Sequence, residues 1–348
     1  MLTRQEILRA LTTSDSGEVE ALFLEADRVR REQMGDEVHL RGLIEISNIC
    51  GRDCLYCGIR HSNPSVRRYR MTPDEVVAAA GRAAALGYPS VVLQSGESDV
   101  YSPDEMTELL GRIKSLHRLA LTLSLGEKPR EVYAAYREAG ADRYLLRFET
   151  SSESLFNRLK PDSSLRERLE CLHVLRELGY QVGSGIMVGL PGQTPDILAD
   201  DIELLRELDL DMIGIGPFIR NPDTPLAGKE SGTLDLTLRV LAILRILTRN
   251  THLPATTAMG SIDPQGREKA LQRGANVLMP NVTPTEYREH YRLYPGKICL
   301  GDSPETCASC LTTRLATLGR TVAKDPGHSR KVKSGSQPGT TASRGRDR

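Results

Sequence analysis

Cys50, Cys54 and Cys57 stand within eight residues, as Cys50-Gly51-Arg52-Asp53-Cys54-Leu55-Tyr56-Cys57, with an aromatic side chain directly before the last. Thiolates at such loop spacings converge on one centre and can hold three corners of a cubane iron–sulfur cluster, which leaves one iron open to another ligand. A structural zinc site normally takes four ligands and pairs two short knuckles. Here only His61 follows, without a paired spacing. A disulfide framework does not suit seven cysteines in 348 residues, a sparse and odd number with no secretory signal before it.

Strand-like apolar runs alternate with helical patterns along the chain, and they are the elements that must position this loop. The runs are Val38–Ile46, Ser90–Gln94, Leu119–Leu125, Arg143–Phe148, Gln181–Val188, Asp211–Ile215, Pro254–Ala258 and Ala275–Met279. Helices are expected from Thr72, with Pro73 in the first turn and Asp74 and Glu75 at the positive end of the dipole, and near Asp104 and Glu131. A further one starts near Ser163, with Glu167 spaced as a capping-box partner of Ser164. Eight βα units predict an α/β fold, a complete (β/α)8 TIM-type barrel, whose chemistry gathers where strands end. The cysteine loop, Ser95-Gly96-Glu97, Ser124, Arg147 with Glu149, Met187, Thr256-Thr257 and Met279 all fall at such ends.

Basic and acidic residues balance at 46 each, so composition gives no reason to expect nucleic acid as a partner. No run of 18 apolar residues occurs, so no membrane span is expected. Residues 1–36 show helical spacing (Ile7, Leu8, Leu11; Val19, Leu22, Phe23, Ala26) and read as an N-terminal helical extension, without the pattern of a signal peptide. The barrel is expected over 37–280, a C-terminal segment with an accessory cysteine site over 281–322, and a basic, disordered tail over 323–348. From Lys324 to Arg348 the tail holds seven Lys/Arg against two Asp and almost nothing apolar. Free thiols and iron–sulfur chemistry suit the cytoplasm.

A C-x3-C-x2-C loop with an aromatic before the final Cys resembles the signature of the radical S-adenosylmethionine (SAM) enzymes, in which the open iron chelates SAM. The likeness narrows along the chain. Leu55–Arg60, Val92–Glu97, Thr122–Glu127, Arg143–Arg147, Met187–Thr194, Gly214–Ile219, Pro254–Gly260 and Leu293–Cys299 resemble, in order, the HydE family of diiron (FeFe) hydrogenase maturases, over about Glu18 to Gly319. The resemblance implies a 4Fe–4S cluster on Cys50, Cys54 and Cys57. It implies SAM bound by Tyr56, Ser95, Gly96, Glu97, Ser124, Glu149 and Arg168. Arg168 offers a planar fork of donors to the methionine carboxylate, and an ionised Glu149 accepts from ribose hydroxyls or an ammonium. Thr122, Arg147, Thr256, Thr257, Met279, Tyr291 and Tyr294 match positions lining the family's internal cavity, an anion-binding pocket in character. Cys299, Cys307 and Cys310 resemble an accessory site for a second iron–sulfur cluster, 2Fe–2S or 4Fe–4S, or zinc with a fourth ligand. Cys171 reads as helix packing.

The chemistry implied is reductive: an electron donor reduces the cluster, the SAM carbon–sulfur bond breaks, and a 5′-deoxyadenosyl radical is left enclosed in the barrel. The implied substrate is a small molecule or small iron complex, such as a cysteine-bound iron carbonyl cyanide, with the maturases HydG and HydF as supplier and recipient. Methylornithine synthase shares the resemblance, but its lysine substrate asks for a carboxylate near a second ammonium. A biotin-synthase-like sulfur insertion is more distant. A non-catalytic iron–sulfur scaffold is the reading of a different class.

Overall fold

The structure, a computed structural model, describes residues 2–331. Two helices, α1 (Arg4–Thr12) and α2 (Ser16–Met34), precede the first strand. Thr3 opens α1 through a reciprocal capping box with Glu6, and Asp15 caps α2 by accepting from the Gly17 and Glu18 amides. Strands and helices then alternate as β1 (Glu37–Ser47), α3 (Pro73–Ala85), β2 (Ser90–Ser95), α4 (Pro103–Leu116), β3 (Ala120–Ser124), α5 (Arg130–Glu138) and β4 (Ala141–Leu145). Next come α6 (Glu153–Leu159), α7 (Leu165–Glu177), β5 (Gln181–Val188), α8 (Pro195–Glu207), β6 (Met212–Pro217) and α9 (Leu234–Thr248). Two short helices, α10 (Thr257–Ile262) and α11 (Gly266–Leu271), lead to β7 (Val277–Leu278), and α12 (Thr285–Arg288), α13 (Pro304–Thr317) and β8 (Thr321–Val322) follow.

Local chemistry accounts for most helix starts. Thr72, Ser102 and Thr194 each cap a helix whose first residue is proline, where the missing N–H would have had no partner. Ser164 caps α7 by accepting from the Glu167 amide. Leu238, Val240, Leu241, Ala242, Ile243 and Leu244 leave α9 buried nearly all round, because β6 lies inside it and α2 packs over its outer side. Each such Leu or Ile contributes about 1.5–3 kcal/mol by leaving water.

The strands pair in parallel in the order β6-β5-β4-β3-β2-β1-β7, with β8 pairing separately with β1. The sheet is TIM-like in its curl and in its alternation with helices, but it is an open curled sheet and not the complete eight-stranded barrel expected. The expected strand over Pro254–Ala258 does not form. Pro254 has no N–H to donate, and Thr256 already stands at the N-cap of α10, so no ladder can propagate between them. Among the described residues, only the single bridges Met212 to His252 and Pro254 to Val277 stand between β6 and β7.

Residues 323–331 also depart from the disordered reading of the tail; those beyond 331 lie outside the described residues. This strap crosses the ladder at the end away from the cysteine loop. The Arg41 guanidinium donates to Gly327 O at 3.2 Å, Arg143 donates to Pro326 O at 2.7 Å, and the Ser329 amide donates to Gln181 Oε1 at 2.8 Å. Gly327 has φ +62°, and a Cβ there would lie 2.8 Å from the His39 ring. Arg41 and Arg143 are both buried, so the strap carbonyls are their means of satisfaction. A chain cut after Ala323 is therefore expected to lose about 2–4 kcal/mol of unfolding free energy, since each orphaned buried donor costs about 1–3 kcal/mol. Urea unfolding beside a chain cut after Lys331 checks this: equal loss from both cuts would place the effect outside the strap.

Candidate active site

The cysteine loop leaves the C-terminal end of β1 and is held by main-chain bonds from several directions. The Gly51 amide donates to Glu97 O at 2.8 Å, Leu55 to Leu159 O at 2.9 Å, and Gly58 to Leu293 O at 2.8 Å. The Arg68 guanidinium gathers the Asn48 and Ile59 carbonyls at 2.8 and 2.7 Å. The loop lies so close to Gly96 that a Cβ there would come within 2.3 Å of Ile49 O and 2.8 Å of Cys50 Cβ. That contact explains glycine in the middle of Ser95-Gly96-Glu97. Cys50, Cys54 and Cys57 are half-buried and all border one cavity of about 340 Å³. Burial pushes the Cys54 and Cys57 thiols up, and the nearby Lys160 ammonium opposes this at Cys54.

Beside the loop, two carboxylates and two guanidiniums interlock. Arg168 Nη1 lies 2.7 Å from Glu127 Oε1 and 3.2 Å from Glu97 Oε2, while Arg52 reaches Glu97 at 2.6 Å and Glu127 at 3.0 Å. Burial pushes the Glu97 carboxyl up, but Arg168, Lys160 and Arg52 outweigh it and hold the group below its ordinary range. Gly126 has φ +80°, and a Cβ there would collide with Glu97 Cγ at 2.0 Å, so glycine makes room for this carboxylate.

Most residues expected at the site border the same cavity. Tyr56, Ser95, Gly96, Ser124 and Glu149 line it with the cysteines, and so do Arg147, Thr256, Thr257, Met279, Tyr291 and Tyr294. Tyr291 is held by Gln94 Nε2, which donates to its hydroxyl at 3.2 Å. Thr256 donates its hydroxyl to Ile215 O at 3.0 Å. Thr122 does not reach the cavity surface: it shares the face of β3 that carries Ser124, is fully buried, and its hydroxyl has no partner among the described residues. Cys299, Cys307 and Cys310 lie outside the cavity. Cys307 is buried and Cys310 exposed, one turn apart on α13. Hydrogen bonding between Cys299 and Cys307 lowers the first thiol and raises the second. Among the described residues no three His, Cys, Asp or Glu side chains surround a single metal ion, an arrangement that thiolates on separate irons do not need.

Arg147 is not a free guanidinium. It lies 3.0 Å from Glu149 Oε2 and also donates to the Ile186 carbonyl, which it approaches closely. Glu149 itself has φ +68°, a left-handed backbone that a carboxylate residue adopts at a cost of about 1–2 kcal/mol. Its amide donates to Gly185 O and its carbonyl accepts from the Met187 amide, both at 3.0 Å. The buried Asp201 of α8 then anchors the next turn by accepting from Thr150 Oγ1 at 3.1 Å, Ser151 Oγ at 2.6 Å and Gln193 Nε2 at 2.8 Å.

Five further residues belong to the site that the sequence reading did not single out: Arg52, Glu127, Lys160, and the buried pair Glu45–Lys297. Period-two alternation along β1 was the available signal for Glu45, since His39, Arg41, Leu43, Glu45 and Ser47 share one face of that strand. Lys297 comes from a distant loop and carries no such signal.

Residues 44–205, from within β1 to within α8, match the family model described as the Radical SAM superfamily, and with the relative that follows this makes the chain a radical SAM enzyme with a TIM-like fold. It is 52% identical over 330 residues to the FeFe hydrogenase maturase subunit HydE of Thermotoga maritima, covering 95% of this chain and 94% of that one. The chain belongs to the HydE family. A 3-methylornithine synthase of Methanosarcina acetivorans is 29% identical over 275 residues, covering 78% and 77% of the two chains. The crystal structure of methylornithine synthase shares the fold at a TM-score of 0.83, over 93% of this chain and 94% of that one, with 23% identity.

Proposed function

We propose that this chain is a maturase of an FeFe hydrogenase, holding a 4Fe–4S cluster on Cys50, Cys54 and Cys57 and SAM across Tyr56, Ser95, Gly96, Glu97, Ser124, Glu149 and Arg168. The observation that carries the reading is one cavity bordered both by the three cysteines and by Arg147, Thr256, Thr257, Tyr291 and Tyr294. The donor set fits the groups proposed. Three thiols edge the cavity, carboxylates suit an ammonium and ribose, and Arg168 suits a carboxylate. When bound, the cluster and SAM supply one-electron cleavage to a 5′-deoxyadenosyl radical. The chain's own residues orient the bound molecules, hold charges in place and limit water in a cavity lined partly by Leu145, Pro217 and Phe218.

The substrate proposed is a small cysteine-bound iron carbonyl cyanide or a related thiol, supplied by HydG and passed on toward HydF, in the cytoplasm. No helix among the described residues is long and apolar enough to cross a membrane. One observation weighs against lysine as substrate, and so against the methylornithine synthase alternative. Glu45, a buried carboxylate of the cavity lining, is already paired with the Lys297 ammonium. The direct test is maturation of apo-hydrogenase in an extract lacking its own HydE: the anaerobically reconstituted protein should restore hydrogenase activity only with SAM and a reductant. Restored SAM cleavage without maturation would sink the proposed substrate.

Two narrower outcomes follow. Arg147→Met removes the ion-pair partner of the half-buried Glu149 and leaves that carboxylate uncompensated, at a cost of about 1–3 kcal/mol. Maturation should fall by about ten- to a hundredfold, with SAM titration showing how much of the loss passes through Glu149. Full activity in that variant would remove Arg147 from the substrate site. The second cluster proposed at Cys299, Cys307 and Cys310 stands apart from the cavity. Replacing all three by Ala should lower bound iron while SAM cleavage stays within about twofold (roughly 0.4 kcal/mol) of the parent. Loss of cleavage with the first cluster intact would show that the outer site serves catalysis.

A further inference from the structure

Five cations border the cavity: Arg52, Arg147, Lys160, Arg168 and Lys297. Four of them have carboxylate partners. Arg52 and Arg168 share Glu97 and Glu127, Arg147 lies against Glu149, and Lys297 pairs with Glu45. Lys160 differs. Its residue is 5% exposed, and among the described residues its ammonium has neither a hydrogen bond nor an ion pair. Lys160 therefore borders the cavity with no fixed counter-charge beside it, a place that an anion in the cavity would fill.

Its position indicates which anion. Lys160 is the C-cap of α6, where its amide donates to Phe156 O at 2.8 Å. The preceding carbonyl, Leu159 O, accepts from the amide of Leu55, the residue next to Cys54. The end of α6 is thereby tied to the cysteine loop. The ammonium lies 5.4 Å from the Phe156 ring centre; burial and then Arg168 push it down, and the groups that oppose this are led by Cys54, followed by Glu97 and Glu149. Both carboxylates already have guanidinium partners, whereas the three cysteines have none.

We propose that Lys160 is a positioning charge for the cluster held by Cys50, Cys54 and Cys57, making that cluster easier to reduce. The inference rests on the cluster reading given above. Three thiolates outweigh the charge of the oxidised core, so the site is anionic and gains a further negative charge when a one-electron donor reduces it. A fixed cation a short distance away favours the reduced form more than the oxidised form. No bond to the metal is needed, and the diffuse charge asks for no directional hydrogen bond. SAM keeps its own cation in Arg168, whose planar fork suits a carboxylate better than an ammonium does.

The experiment is an anaerobic redox titration of the reconstituted full-length protein with dithionite, without SAM. It follows by electron paramagnetic resonance the reduced-cluster signal that, in a parallel sample, changes when SAM is added. That selects the cluster with an open iron over any other. Lys160→Met keeps the stem that packs on Phe156 and removes the charge. It is expected to lower the equilibrium constant for reduction at least tenfold, a midpoint about 59 mV more negative. Lys160→Arg should stay near the parent, and SAM affinity should change less than threefold in both. An unchanged midpoint in Lys160→Met overturns the proposal, and so does a tenfold loss of SAM affinity at constant midpoint, which would assign the ammonium to SAM. Loss of cluster iron in Lys160→Met with recovery in Lys160→Arg supports the charge, whereas loss in both variants overturns it. A parent protein with no SAM-sensitive signal overturns the cluster assignment itself, and this proposal with it.

Discussion

Replacing Cys50, Cys54 or Cys57 singly by Ala is expected to abolish 5′-deoxyadenosine formation, leaving a rate indistinguishable from protein-free controls. Each thiolate would hold a different iron, so no remaining sulfur can take over the missing position without moving the loop. The loop is poorly able to move: Gly51, Leu55 and Gly58 are tied to Glu97, Leu159 and Leu293. The other four cysteines do not border the cavity, so they offer no substitute ligand there. The variants should nevertheless fold, because all three side chains are half-buried at a cavity edge. The measurement pairs product formation with iron content and urea unfolding, in a background where Cys299, Cys307 and Cys310 are already Ala. Retained SAM cleavage in any one variant would refute that cysteine's role. Lost cleavage with full iron would move the role from cluster binding to chemistry.

The sequence was informative wherever one local rule decides the structure. Pro73, Pro103 and Pro195 after a hydroxyl cap mark helix starts, and Gln181–Val188 is apolar enough to read directly as a strand buried on both faces. The cysteine spacing and the strand-end motifs fall on residues that border one cavity. What failed depended on distant partners. Pro254–Ala258 has strand-like residues, but the missing N–H and the helix at Thr257 outrank propensity. The strap at 323–331 binds through Pro326 and Gly327 carbonyls, which hydropathy cannot register. Arg147 was expected to await an anion, yet its partner Glu149 is two residues away and reaches it only because the intervening backbone turns at φ +68°. Lys160 and Lys297 gain their meaning from burial beside groups far off in sequence.

Arg168→Leu is expected to destabilise the protein by about 3–5 kcal/mol and to weaken SAM binding at least tenfold. Its guanidinium is buried, with Nη1 shared between Glu97 and Glu127 and Nε donating to Arg147 O at 2.6 Å. Removing one member of a buried charge network leaves the other charges uncompensated, which is where a penalty of that size arises. Arg52 would remain, but its side chain is 29% exposed and solvent shares its charge, so it compensates only in part. Acid sensitivity offers a second readout. Glu97 titrates below its ordinary value of 4.5 in the folded chain, so the unfolded chain takes up protons first as pH falls. The stability it contributes is present above that value and is lost as pH drops through the folded one. Without Arg168 the Glu97 carboxyl should titrate higher, burial then meeting less opposition, and the acid-induced loss that this group causes should shrink. Urea unfolding at neutral and acid pH measures both effects, and calorimetric titration with SAM on the folded variant measures the third. Arg168→Lys should recover part of the stability but little SAM affinity, because one ammonium cannot reproduce a planar group whose Nη1 meets two carboxylates while Nε holds Arg147 O. An unfolding curve superimposable on the parent's would mean that Arg52 and Lys160 alone neutralise this corner of the cavity. Unchanged SAM affinity would instead assign the methionine carboxylate to another cation of the cavity lining.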